Sequence, residues 1–302
     1  MTACELYITA VRPRQEKGEK GLKRISITTD ITSDLSQDLL EKYGIRTVPL
    51  YINLDGKSYK DTLEISPEEI FAYAERTGKL PKTAAAPIQE FIDFFRKVSA
   101  ESESVIHINL GSKFSSTHQN AVIAAREFEN VYVVDSANLS TGSGHVVLEA
   151  AKLAEEGLSA REIVEKLERL VPKVEASFVI DTLDYLKMGG RCSSLVAMGA
   201  ALLNIKPCIE VINGEMTVGK KYRGKIERAI EKYVTDRLKD RDDIVTDRIF
   251  ITHAGCPEEI IERTKDLVKE LQPFDEVIVT TASCTISCHC GPKTLGVLFK
   301  RK

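Results

Sequence analysis

The chain has 302 residues, long enough for two domains that each bury a core, with 43% hydrophobic residues and a formal net charge of −3. Lys and Arg are dispersed, which speaks against a nucleic-acid-binding face, and no apolar run approaches the roughly 20 residues of a bilayer span. Residues 1–22 read as an N-terminal extension, neither anchor nor secretory signal. Their apolar stretch is short and Arg12, Arg14, Lys17 and Lys20 follow it. Seven cysteines, an odd number without such a signal, point to reduced thiols and a cytoplasmic setting.

In chain order, Ile25 to Thr29 reads as a buried strand, and Asp30-Ile31-Thr32-Ser33-Asp34-Leu35 as its turn into a helix ending near Gly44. Arg46 to Ile52 reads as a second strand, followed by an Asp55-Gly56 hairpin turn. Ser66-Pro67-Glu68-Glu69 is a capping box with proline at the first helical position, and Gly78 ends that helix. Lys79 to Pro87 is an extended linker into a helix from Gln89 to Val98. A strand at Val105 to Ile108 leads through Leu110-Gly111-Ser112-Lys113-Phe114 to a helix from about Gln119 to Phe128. A strand at Val131 to Val134 precedes helices at about Ser143 to Glu156 and Ala160 to Leu170, the second with a Ser159/Glu162 capping box. Alternating strands and helices predict a parallel, helix-covered sheet.

The pattern changes after Pro172. Ser177 to Ile180 reads as a strand and Thr182 to Met188 as a short helix running into Gly189-Gly190-Arg191. Lys206 to Ile212 and Glu215 to Lys221 flank Asn213-Gly214, a strong hairpin signal. Helices follow at Lys225 to Lys239 and Pro257 to Leu271, and strands at Arg248 to Thr252, Glu276 to Thr280 and Thr294 to Phe299. The expected architecture is therefore α/β in two domains. Residues 23–172 form a mainly parallel α/β/α sheet, and 173–302 an α/β domain with a mainly antiparallel sheet.

Four segments can carry chemistry. Ser115, Ser116 and Thr117 stand between a strand and a helix, at the carboxyl edge where such sheets bind ligands. Their hydroxyls beside unpaired helix N–H groups make a seat for a carboxylate or phosphate, although helix capping uses the same residues. Thr83 lies in a loop of small residues just before a helix. His289 lies in Cys288-His289-Cys290-Gly291-Pro292-Lys293, read as a turn before the final strand, where an imidazole can bond a carboxylate. Arg191, and more weakly Arg223 before Gly224, offers a guanidinium for an anion or for a surface ion pair. Cys284, Cys288, His289 and Cys290 look like a metal cluster, but Cys288 and Cys290 are one residue apart and no second ligand pair is evident.

Taken together, these segments resemble the DegV family, fatty-acid-binding proteins that partner a bacterial fatty acid kinase. The resemblance runs from about Ile25 to Phe299. Asp30 to Leu35 is similar to the family's Asp-Ser-Thr/Ala-x-Asp-Leu turn, and Lys82 to Pro87 stands for its Lys-Thr-Ser-Gln-Pro-Ser. Ser115 to Ala121 stands for Ser-Gly-Thr-Tyr-Gln-Ser-Ala, and Tyr185 to Arg191 for Tyr-Leu-Lys-Lys-Gly-Gly-Arg. His289-Cys290-Gly291-Pro292 with Gly296 matches the C-terminal His-x-Gly-Pro and its later Gly.

The resemblance implies a long-chain fatty acid buried in a tunnel between the domains, and no other cofactor. It implies Thr83, Ser115 and His289 as carboxylate ligands, with Ser116 and Thr117 beside them. Arg191 and Arg223 would meet the partner kinase or the phosphoryl group. The kinase would form the acyl phosphate, so the chain itself would be a carrier with no nucleotide site, and its contact with a membrane surface transient. Leu195 to Leu203 would supply one tunnel wall. Ala84, Ser116, His118 and Lys293 depart from the pattern. Ser116 in place of glycine requires a backbone that avoids positive φ. The rival readings are a hydrolase or acyltransferase using Ser115, although no Gly-x-Ser-x-Gly elbow surrounds it, and a redox or metal protein built on the three clustered cysteines.

Overall fold

The structure is a computed structural model and describes residues 23–192 and 205–302. The extension at 1–22 and the segment from Leu195 to Leu203 lie outside the described residues. Strands β1 (Lys23–Asp30), β2 (Arg46–Val48), β6 (Ser102–Asn109) and β7 (Val131–Asp135) form a parallel sheet in the order β2-β1-β6-β7. Helices α3 (Ile88–Ser99) and α4 (Thr117–Ala125) cover one face with Phe91, Phe95, Ala121 and Ala124. Helices α5 (Thr141–Glu155) and α6 (Ala160–Leu170) cover the other. Strands buried on both faces explain the near-continuous apolar run of β6.

The second large sheet has the order β10-β9-β8-β13-β11-β12. It comprises β8 (Val174–Val179), β9 (Ile205–Ile212), β10 (Glu215–Arg223), β11 (Ile244–Ala254), β12 (Glu276–Thr281) and β13 (Thr294–Arg301). Its pairs are antiparallel except β11 with β12. The period of two along a strand sorts its faces. Phe250 and Leu298 point to α5, whereas Ile249, Ile251, Val297 and Phe299 point to α8 (Ile226–Leu238) and α9 (Glu258–Leu271). Each such fully buried side chain contributes about 1.5–3 kcal/mol. Helix α5 lies between the two sheets: its apolar residues share one core with Ile27, Ile106 and Ile108 on one side and Ala176, Phe250 and Leu298 on the other.

A third, antiparallel sheet of three short strands has the order β4-β3-β5, from β3 (Tyr51–Leu54), β4 (Lys57–Lys60) and β5 (Lys82–Ala84). Here the structure corrects two expectations. The single strand at Arg46 to Ile52 is two, because Pro49 lacks the N–H a ladder needs, and the chain leaves the parallel sheet there. The linker at Lys79 to Pro87 contains β5. Helix α2 (Pro67–Thr77) begins at Ser66, whose Oγ accepts from Glu69 N at 3.3 Å while Glu69 Oε2 accepts from Ser66 N at 2.8 Å. Ser66→Ala is expected to lower stability by about 1 kcal/mol in urea unfolding, with the denaturant slope unchanged.

Candidate functional site

The loop after β6 carries the first part of the site. Phe114, Ser115 and Ser116 line a cavity of about 250 Å³ at the carboxyl end of the parallel sheet. Ser115 Oγ accepts from Thr117 N at 3.2 Å and lies 3.0 Å from Thr117 Oγ1, so it supports the first turn of α4 and faces the cavity together. Ser116 makes no side-chain capping bond, and its φ of −71° removes the strain that a glycine replacement could have brought. Thr117 is fully buried and does not line the cavity.

Thr83 enters the same cavity from β5, and His289 from a helix, α10 (Cys284–Cys290), opposite. Thr83 Oγ1 and His289 Nε2 are 3.0 Å apart, although 206 residues separate them in the chain. His289 was expected in a turn; it sits in the last turn of α10, and the turn begins at Gly291. Sequence patterning missed this helix because nearly all of it is buried, which leaves no polar face to set a 3.6-residue period.

Burial, and then the positive charge of Arg191, pushes the His289 imidazole down to about 4, so the ring is neutral at pH 7. Its Nδ1 has no hydrogen-bond partner among the described residues. That nitrogen lies against Gly189, the last residue of α7 (Asp184–Gly189), where an added Cβ would come within 2.3 Å of it. At Gly291, with φ +80°, an added Cβ would meet the Tyr185 ring at 2.8 Å. Two glycines thus let α7 and the end of α10 pack closely around the imidazole.

Most of the remaining wall is apolar: Leu50, Leu110, Phe114, Leu139, Phe178, Leu186, Met216 and Ile286 line it. A smaller cavity of about 30 Å³ shares Leu139, Phe178, Ile286 and Cys290 with it and continues toward Ala254, Ala282 and Leu298. Arg191 lines the larger cavity while remaining exposed, and its Nη1 donates to Gly189 O at 2.6 Å. Arg223, at the end of β10, is exposed and does not line the cavity.

Sequence reasoning missed Thr285, whose Oγ1 is buried without a partner among the described residues and whose side chain lines the cavity. The turn at Asp30 to Leu35 was read from the sequence, but not that its two carboxylates are buried and hold the loops. Asp30 accepts from Thr32 N, Asn109 Nδ2 and Leu110 N, and Asp34 from Ser140 Oγ and Ser283 N. The signal for them is the Asp-x-x-x-Asp spacing at the end of β1, within the family-like turn. The cysteines do not converge: among the described residues no group of three or more His, Cys, Asp or Glu is placed to hold a metal ion. Cys284 and Cys288 pack beneath the small sheet with Ile52, Ile65 and Ile70. Burial pushes the Cys290 thiol up to about 12, far from a reactive thiolate.

A sequence model of the DegV family, described as uncharacterised proteins, matches residues 24–302. The chain belongs to the DegV family. A DegV domain-containing protein of Caldanaerobacter subterraneus is 38% identical over 284 residues, which cover 93% of this chain and all of that one. A fatty acid-binding protein of Thermotoga maritima is 32% identical, covering 90% of this chain and 96% of its own. Among solved structures, a DegV family protein of Thermus thermophilus described by its fatty acid binding superposes with a TM-score of 0.84 at 34% identity. That match covers 92% of this chain and all of the other. The two-domain α/β fold of DegV proteins, with one parallel and one mainly antiparallel sheet, is the fold described above. Among the described residues no helix is long and apolar enough to cross a membrane.

Proposed function

We propose that this DegV protein binds a long-chain fatty acid in the cavity and presents its carboxylate to a fatty acid kinase in the cytoplasm. We place the division between the two domains near residue 172, with the ligand between them. The observation that carries the reading is the sorting of the cavity wall. Thr83, Ser115, Ser116, Thr285, His289 and Arg191 supply its polar part, and apolar side chains supply the remainder. An unsatisfied buried polar atom costs about 1–3 kcal/mol, and a charged carboxylate oxygen more, so several donors must converge where it sits. Hydroxyls, one N–H of a neutral imidazole and a guanidinium meet that need. The tail gains about 0.8 kcal/mol per buried methylene and dominates affinity.

A carrier reading fits the hydrogen bonds better than a nucleophile does. Ser115 is paired with Thr117, and the His289 Nε2 that would serve as its base is paired with Thr83. Arg191, exposed where the cavity meets the surface, is the residue best placed to meet an incoming phosphoryl group. Arg223 is exposed and left to contact the partner.

Protein purified gently, extracted with organic solvent and analysed by mass spectrometry is expected to yield one long-chain fatty acid per chain. Thr83→Ala/Ser115→Ala is expected to retain at most about a tenth of it, since two hydrogen bonds to a charged group are lost. Absence of lipid, together with no binding of added fatty acid, would sink the proposal. Ester hydrolysis by the wild type that Ser115→Ala abolishes would transfer the assignment to a hydrolase.

A further inference from the structure

We infer that Asp61 is a positioning residue for the His289 side of the site, fixing the helix that presents the imidazole against the strand that presents Thr83. The inference rests on the fatty-acid reading of the cavity. Asp61 follows β4, is fully buried, and does not line the cavity. Its Oδ1 accepts from Cys284 N and its Oδ2 from Thr285 N, each at 2.8 Å. Thr62 Oγ1 donates a third bond to Oδ1 at 2.8 Å. The first two N–H groups of α10 are therefore satisfied by a carboxylate from the small sheet and not by a residue of the helix's own approach. The Cys284 thiol adds a bond to Ile65 O, beside the backbone bridge between Asp61 and Ile65.

These contacts close a circuit. Thr83 pairs with Ile52 across β5 and β3, and Ile52 pairs with Tyr59 across β3 and β4. The chain then runs from β4 to Asp61, whose N–H donates to the carbonyl of Leu50, a cavity-lining residue. From Asp61 the circuit passes through α10 to His289 and returns to Thr83 at 3.0 Å. Helix α10 has seven residues and would be unstable alone. Its place is set at one end by Asp61 and at the other by the close approach of Gly189 to the imidazole. A shift at the Asp61 end moves His289 relative to Thr83, and with it the pair of groups that would hold one carboxylate.

The test uses the full chain, palmitate as the probe, and three variants: Asp61→Asn, Thr62→Ala and, as a matched destabilised control, Val268→Ala in the core of α9. In Asp61→Asn one carboxylate oxygen becomes an NH2 facing an N–H donor. Palmitate is expected to bind about tenfold more weakly. His289, followed through its ring protons by NMR, is expected to titrate closer to 6.5 as its packing loosens, up from about 4 in the wild type. Thr62→Ala is expected to move both readouts the same way by less, and carries the test if Asp61→Asn does not fold. Val268→Ala should lose stability yet leave both unchanged. Unchanged binding and titration in the Asp61 and Thr62 variants, or equal changes in Val268→Ala, would overturn the role. A wild type that neither carries lipid nor binds palmitate would instead overturn the functional reading, while the His289 titration would still test Asp61.

Discussion

Gly189→Ala is expected to lose most fatty-acid binding while keeping its fold. The added Cβ would come within 2.3 Å of His289 Nδ1, closer than any real contact, so something must move. Gly189 is the last residue of α7 and its φ is not positive. Alanine therefore suits the backbone, and its helix propensity exceeds that of glycine by about 1 kcal/mol. The imidazole is the part that yields, since the atoms met are the far end of a side chain, and Nδ1 has no partner among the described residues to hold it. Displacing it removes one hydrogen bond to a charged ligand, about 1.5–3 kcal/mol, or about 10- to 150-fold in affinity. Isothermal titration with a fatty acid, beside a thermal melt, separates the outcomes: full affinity in a folded Gly189→Ala would detach His289 from the ligand.

Asp34→Asn is expected to change the pH dependence of stability more than any surface substitution. Burial, which outweighs the hydrogen bonds from Ser140 and Ser283 and is assisted by the charge of Asp61, raises the Asp34 carboxyl from 3.8 to about 7. The folded protein thus holds this proton more tightly than the unfolded chain does. The resulting stabilisation is fully present below about pH 4 and is lost as pH rises through about 7. Asparagine has no such proton, and it tolerates the left-handed backbone of residue 34, where φ is 51°. Relative to Asp34→Asn, the wild type should lose roughly 3 kcal/mol between pH 5 and pH 8. His107 and His145, pushed down to about 3 by burial, act in the opposite sense, costing stability as pH falls below 6.5. Both proteins contain them, so they cancel in the difference. Urea unfolding of the two at pH 5, 6, 7 and 8 measures it, and parallel curves would mean that Asp34 ionises normally.

Local rules reached the elements whose cause is local. The boxes Ser66/Glu69 and Ser159/Glu162 start their helices in the structure, and Asn213-Gly214 turns the β9–β10 hairpin. Pro49 shows the limit: an apolar run reads as one strand until a missing N–H divides it between two sheets. Helix α10 was invisible for a different reason, since a short helix buried all round resembles an irregular polar loop in sequence. The Thr83–His289 contact joins residues 206 apart in the chain, and no periodicity could pair them. Only the order of five family-like motifs placed them together, and that order says nothing of distance. The partnerless Thr285 hydroxyl and the carboxylates of Asp34 and Asp61 were illegible because a buried acid and an exposed one are the same letter. Burial is decided by the fold.

Helix α5 makes the two large sheets one object. Both lean on it, one on each flank, as hull planks lean on a keel, and its small and β-branched side chains fill the space between them. To part the sheets would wet one flank along fifteen residues, so the two move as one body. At the rim the 111–116 loop meets the β9–β10 hairpin. There Lys113 reaches across to Asn213 O and Glu215, an exposed fastening that water and salt can loosen.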